Sequence, residues 1–321
     1  MQRIILPEVR VVYVSRRGNL IFRNFRFLRY AFSELNHKPT VVFLKQFKII
    51  SSVLKICRPS LCFVLDIRSC AVVSNPIKRL ISDVRLIIES MFFDNITIIS
   101  NGLSKRLYIS HRSHIVPVGA EIISNDIKTF NEFNLLYVGT LENRNIEITI
   151  EGFKIFFEAF KSKINLSYTI VGTGANNEEQ KLRNLVAHYK LENVVTISGK
   201  ILHNQLKDFF DKSNIGVSYI PLTNYYDCQP PTKTFEYLLS GMPVIATRST
   251  ENMKIINPNT GVLIGDKIED FYEGLEDLFK NRFLFNSKKI RDSNMKHKWG
   301  NIVLNNLKIY LDGISRKCKD N

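Results

Sequence analysis

From Asn134 to Gly265 the chain alternates short apolar runs with amphipathic stretches of helical period, and that rhythm constrains the fold more than any other feature. The runs are "NLLYVGT", "LSYTIVGTG", "VVTISG", "IGVSYIP", "PVIAT" and "TGVLIG". Helical patterns separate them, among them "IEITIEGFKIFFEAF", "NEEQKLRNLVAHYK" and "NQLKDFFDKS". Strands alternating with helices of this length imply a parallel sheet covered on both faces. Ligands of such sheets bind beyond the carboxyl ends of the strands. That edge carries Gly139 and Thr140, Gly172 and Gly174, Gly199 and Lys200, and Pro221. Glycines at successive strand ends let a ligand approach the backbone closely.

Residues 229–247, "QPPTKTFEYLLSGMPVIAT", add chemistry to that edge. The double proline cannot lie inside a helix, but Pro231 can begin one. Phe235, Leu238 and Leu239 supply an apolar face, and Gly241 before Pro243 is a stop signal. Thr232, Lys233 and Thr234 therefore stand at a helix N-terminus, where free N–H groups, the helix dipole and a lysine charge together suit an anion. For the segment alone, an ordinary capped helix with Lys233 solvated and Glu236 on the surface is the favoured reading.

The first half is sparser. "VRVVYVS", "TVVFLK", "LCFVLDI", "NITIIS" and "HIVPVG" read as strands of a second α/β unit, with the boundary in the polar run at 124–134. This predicts an α/β chain with one unit over 1–125 and another over 130–321, the latter ending in helices after residue 281. Asp66 and Arg68 close the strand "LCFVLDI" and would face a cleft between the units, as catalytic residues or as a structural salt bridge.

Charge is uneven. Residues 1–125 hold 19 Lys and Arg against 7 Asp and Glu, a balance of +12, and the remainder of the chain contributes +3. A basic half points to a polyanion or an anionic membrane surface. Its densest stretch, "VSRRGNLIFRNFRFLRYAF", sets Arg16, Arg17, Arg23, Arg26 and Arg29 among aromatics. As a helix it would carry Phe22, Phe25 and Leu28 beside arginines, suited to a membrane interface; aromatics in the core with solvated arginines are the other reading. No apolar run reaches membrane-span length, and "MQRIILPEVR" is too short for a signal peptide. The five cysteines form no CxxC pair, which predicts free thiols in a reducing cytoplasm. His111 and His114 read as surface residues rather than metal ligands.

The fingerprint GxGxxG is absent, which disfavours a dinucleotide-dependent dehydrogenase, and no P-loop, GxSxG, HExxH or DxD occurs. No recognised nucleic-acid module accompanies the basic half.

In their order and spacing, "LLYVGTLENRNIEITIEGF", "YTIVGTGANNEEQKL", "VTISGKILHNQLKDFFDKSNIGVSYIP" and "PPTKTFEYLLSGMPVIAT" resemble the donor half of GT-B glycosyltransferases. Family 4, the retaining enzymes of bacterial polysaccharide assembly such as O-antigen and capsule, is the most similar. "LDIRS" and "HIVPVGAEI" resemble the end of its acceptor half, so the resemblance spans roughly residues 38–300. It implies two Rossmann-like domains facing a cleft, the C-terminal helices packing back on the first. It also implies sugar transfer from a nucleotide-diphosphate sugar to a saccharide or lipid-linked saccharide, with no metal or other cofactor, at the inner face of the cell membrane.

By resemblance, Arg144 contacts the diphosphate, and Pro231, Thr232, Lys233 and Thr234 form the helix start that binds phosphates. Glu236 hydrogen-bonds the ribose. Gly199, Lys200 and Ile201 meet the base, and Gly139, Thr140, Gly172 and Gly174 line the donor site. Arg144 and Lys233 would stabilise the leaving diphosphate. Two departures stand out. Cys228, with Asp227 beside it, occupies the place of a family glutamate near the transferred sugar. The family's first strand, Gly-rich acceptor loop and first helix have no counterpart, as though the chain began roughly 50 residues late on the usual domain scale. A non-catalytic, nucleotide-binding relative is therefore the alternative expectation.

Overall fold

The computed structural model describes residues 10–15, 17–37, 40–73 and 75–320. Arg16, from the basic stretch above, lies outside them. Two parallel sheets organise the chain. The first has strands β1 (Val42–Lys45), β2 (Phe63–Ile67), β3 (Asn95–Ile98) and β4 (Ser113–Ile115), in that spatial order. Helices α1 (Leu20–Leu35), α2 (Ile49–Cys57), α3 (Pro76–Ser90) and α4 (Asn101–Arg106) alternate with them. The second sheet contains β5 (Phe133–Val138), β6 (Leu166–Val171), β7 (Val195–Gly199), β8 (Ile215–Ser218), β9 (Val244–Thr247) and β10 (Gly261–Ile264). Its spatial order is β10-β9-β8-β5-β6-β7, so the order reverses beside β5. Helices α5 (Glu147–Phe160), α6 (Glu178–His188), α7 (Lys207–Lys212), α8 (Thr232–Leu239) and α9 (Ile268–Lys280) connect and follow these strands.

All six strands expected in the second half form. Tyr137, Tyr168, Phe153, Phe156, Val217, Ile245 and Phe271 have no exposed surface and anchor its core. Burial on both sheet faces explains why these strands read as continuous apolar runs rather than alternating ones.

The first half differs from expectation at its start. Residues 10–15, expected as a strand, have no regular structure. The polar run at 124–134, expected as the boundary between the units, is tied to the second one. Lys128 is buried, its ammonium donating to the Phe210 carbonyl at 2.6 Å, and burial pushes its pKa down.

The tail forms α10 (Ser287–Asn294), α11 (Trp299–Ile302), a π-helical turn over 303–307 and α12 (Lys308–Asp320). It packs back on the first unit. Asn306 donates to the Ile115 carbonyl at 3.1 Å and meets His114 at 2.9 Å, while Tyr310 stacks on the His114 ring at 4.2 Å. Cys318 on α12 is joined to Cys62 beside β2, their Cα atoms 6.2 Å apart. That corrects the expectation of free thiols throughout. The partners are 256 residues apart, so only the fold brings them together. Cys57, Cys70 and Cys228 remain free. Among the described residues no helix is long and apolar enough to cross a membrane.

Candidate functional site

The carboxyl ends of β5, β6 and β7 meet through glycine backbones. Gly139 N–H donates to the Val171 carbonyl at 3.0 Å and Gly172 N–H to the Gly199 carbonyl at 2.9 Å. A Cβ on Gly172 would lie 1.9 Å from the Gly139 oxygen, so no other residue fits there. Gly199 turns the chain in the left-handed region at φ 66°, which favours glycine. Thr140 and Lys200 are exposed at this edge and Ile201 is half-buried. Gly174 sits against the Glu178 carboxylate in the turn that enters α6.

Helix α8 points its first turn at the same edge. Pro231 is its N-cap (φ −74°, ψ 122°) rather than its first helical residue, one position from the sequence expectation. Proline has no side-chain oxygen with which to cap the helix, and none does so here, which leaves the N-terminal N–H groups to another acceptor. Thr232 is exposed. Thr234 is turned inward instead, its hydroxyl bonded to Ser218 at 2.6 Å and to Asn252 at 3.2 Å. Its N–H bonds the Pro231 carbonyl at 3.2 Å. The expected phosphate role of Thr234 is thus not available to its side chain; it fixes the helix start.

Lys233 is 9% exposed, not solvated. Its ammonium donates to the Tyr219 carbonyl at 3.0 Å and lies 3.8 Å from the centre of the Tyr137 ring. Burial drives its pKa well down, the Arg144 charge adds to the effect, and Glu236 opposes it. Arg144 comes from the loop after β5, between Asn143 (φ 56°) and Asn145 (φ 50°). Two left-handed asparagines in succession mark a loop shaped for the residue between them. The Arg144 guanidinium lies 4.1 Å from the Tyr226 ring centre, and its Nη1 is buried with no hydrogen-bond partner. Among the described residues neither cation has a carboxylate ion pair. Two basic side chains brought together in a largely desolvated place are an arrangement that can take a multiply charged anion.

Glu236, one turn along α8, lies 3.5 Å from His203 Nε2. Burial raises its pKa, and the imidazole partly offsets that. His203 follows the β7 loop, and sequence reasoning missed it, as it missed the rings of Tyr137 under Lys233 and Tyr226 under Arg144. A lone histidine four residues beyond Gly199 carries no signal by itself.

Asp66 and Arg68 form the structural salt bridge that was the other reading. Asp66 accepts from Arg68 Nε at 2.7 Å and from the Thr97 hydroxyl at 2.6 Å. Arg68 also donates to the Val116 carbonyl at 3.2 Å and lies over Trp299. Asp66 is held within the first unit, and Arg68 bridges that unit to Trp299 of α11. Cys228 joins the first unit's core: its carbonyl accepts from the Ser100 hydroxyl at 2.6 Å, and its thiol hydrogen-bonds Cys70. That bond, with Arg106 nearby, lowers the Cys228 pKa to about 7.

Residues 132–281 match the family model described as glycosyl transferases group 1. The whole chain resembles sucrose-phosphate synthase from Thermosynechococcus elongatus, at TM-score 0.70 and 18% identity, covering 98% of this chain and 83% of that one. The fold is that of the GT-B glycosyltransferases. A glycosyltransferase from Rickettsia africae is similar at TM-score 0.67 and 15% identity, with 94% and 84% covered. HepE from Anabaena, solved with UDP, is similar at TM-score 0.69 and 12% identity, with 90% and 81% covered. No curated protein matches the chain in sequence. The segment matched by the family model holds all of β5 to β10, and with them Arg144, Lys233 and Glu236.

Proposed function

We propose that the protein transfers a sugar from a nucleotide-diphosphate sugar to a saccharide acceptor, with retention of anomeric configuration and without a metal, as a family 4 enzyme of cell-surface polysaccharide assembly. The observation that carries this reading is the convergence of Lys233 and Arg144 at the start of α8 with no carboxylate bonded to either among the described residues. A diphosphate placed there would take the free Nη1 of Arg144 and the helix N–H groups, and would restore full charge to Lys233. When the bond between the anomeric carbon and the diphosphate breaks, its electrons and the developing charge fall on the phosphate oxygens. Arg144 and the recharged Lys233, each already held over an aromatic ring, stabilise that charge. Glu236 then accepts from the ribose hydroxyls, and the Gly199–Ile201 loop lies against the base. HepE, whose solved complexes contain UDP and UDP with glucose, makes uridine the first nucleotide to try.

The acceptor in this reading is lipid-linked, and the protein works peripherally at an anionic membrane. The test is release of nucleoside diphosphate from a panel of UDP- and GDP-sugars with a lipid-linked saccharide, with mass spectrometry of the product in the presence of EDTA. Product that grows by one sugar supports the reading. Nucleotide binding without any transfer across the panel would favour the non-catalytic alternative, to which the Cys228 thiol, tied up with Cys70 where a glutamate was expected, already lends weight.

A further inference from the structure

Helix α3 is amphipathic in the reverse sense for a surface helix. Its outward side, at positions i, i+3, i+4, i+7, i+11 and i+14, carries Ile77, Leu80, Ile81, Val84, Ile88 and then Met91, which are 44–70% exposed. Its polar side faces the protein and is locked there. Asp83 accepts from Arg106 at 2.7 Å, Glu89 from Gln46 at 2.7 Å and Ser90 from Arg112 at 2.8 Å, around the buried Leu86. Rotating the helix to hide its apolar side would break all three contacts and bury unpaired charge. The stripe is therefore a fixed feature of the surface, and a contiguous one of this kind marks an interaction site.

We infer that the outer face of α3 is the element that inserts into an anionic lipid bilayer, with α1 and α2 continuing the contact. Helix α2 packs between α1 and α3. It exposes Ile49 and Ile56, and α1 exposes Ile21, Phe22 and Phe25. Charge chooses the occupant. Lys78 on α3, Lys48 before α2 and Arg29 on α1 are exposed. The acids of the three helices are Glu34, Asp83 and Glu89, and none is free to balance these cations: Glu34 pairs with Arg10, Asp83 with Arg106, and Glu89 is buried. A second copy would bring a second +12 half against the first and be repelled, whereas acidic headgroups are attracted as the apolar stripe enters the acyl boundary. The inference deepens the membrane part of the proposed function and is independent of the donor site. It shifts the weight from the Arg/Phe stretch of α1 to α3.

The test is flotation of the full chain, without nucleotide, on vesicles of phosphatidylcholine alone or mixed with phosphatidylglycerol. The chain should float with the mixed vesicles. Leu80→Asp with Ile81→Asp should weaken that binding about tenfold or more, because charge in the stripe is excluded from the acyl region. Ile127→Asp, at an exposed position of the run between the units, should not. An Ile81→Trp variant, which keeps the stripe apolar, should blue-shift its emission on the mixed vesicles. Undiminished flotation of the double variant, or no blue shift with Ile81→Trp, would overturn the inference. So would sedimentation of the wild-type chain as a dimer that the double substitution dissolves, with no vesicle binding, since the occupant would then be a second copy.

Discussion

Arg144 bears on Lys233 without a carboxylate bonded to either among the described residues, and its charge adds to the burial that holds the lysine well below its ordinary pKa. A lysine depressed in this way costs the folded state stability at every pH below its unfolded value of about 10.4, and most fully once pH is below the folded value. Lys233→Met should therefore raise the stability of the ligand-free protein, by about 1–3 kcal/mol. The same change should weaken nucleoside diphosphate binding at least about thirtyfold. Denaturant melts and calorimetry on one pair of proteins check both. A variant that loses stability and keeps binding would mean that Lys233 is only structural.

Diphosphate binding should also be coupled to proton uptake. The anion favours the charged ammonium, so the pKa of Lys233 rises on binding, and a proton is taken up wherever pH lies above the ligand-free value. Titration calorimetry at about pH 9, below the ordinary lysine value, in buffers of different ionisation enthalpy should give heats that differ between buffers. Lys233→Met should remove the difference.

Arg144→Ala should weaken diphosphates about tenfold to a hundredfold and leave nucleosides unaffected. Arg144→Lys should recover little of this, since an ammonium lacks both the flat contact with Tyr226 and the fork of donors. Glu236→Gln should weaken nucleosides and diphosphates alike, because the ribose contact is common to both. Competition binding with uridine and UDP separates the two roles; an equal loss of both ligands in Arg144→Ala would contradict the assignment.

The second half was legible in the sequence because its central strands are buried on both faces and its strands are bounded by glycine or proline. Arg144 in the loop after β5, and Lys233 and Glu236 on the short helix α8, stand where the local chain path expected from the sequence puts them. What could not be read was contact across long separations. Nothing local tells that Thr234 would turn inward to Ser218 and Asn252, or that Asp66 would spend both oxygens on Arg68 and Thr97. The spacing of Ile77, Leu80, Ile81 and Val84 signals a two-faced helix but is silent on which face is inward. That is decided by Arg106, Gln46 and Arg112, which come from other elements. The segment at 10–15 is apolar enough for a strand, yet forms no ladder with β1.

The Cys62–Cys318 bond pins α12 to the first unit, and its removal should be felt there. Cys318→Ser should lower stability by about 2–4 kcal/mol under non-reducing conditions and change nothing under reducing ones. Peptide mapping without reductant should find Cys62 and Cys318 in one cross-linked fragment. Two separate free-thiol peptides would contradict the pairing.

The central claim is that two cations and a helix start hold a nucleoside diphosphate by themselves. It is tested most directly by titrating UDP and GDP into the chelator-treated protein and following thermal stability. One of the two should stabilise the chain by roughly 2.7 kcal/mol at about a hundred times its Kd with EDTA present, and the effect should vanish in Lys233→Met. Stabilisation that appears only when magnesium or manganese is added, or none with either nucleotide, would contradict it.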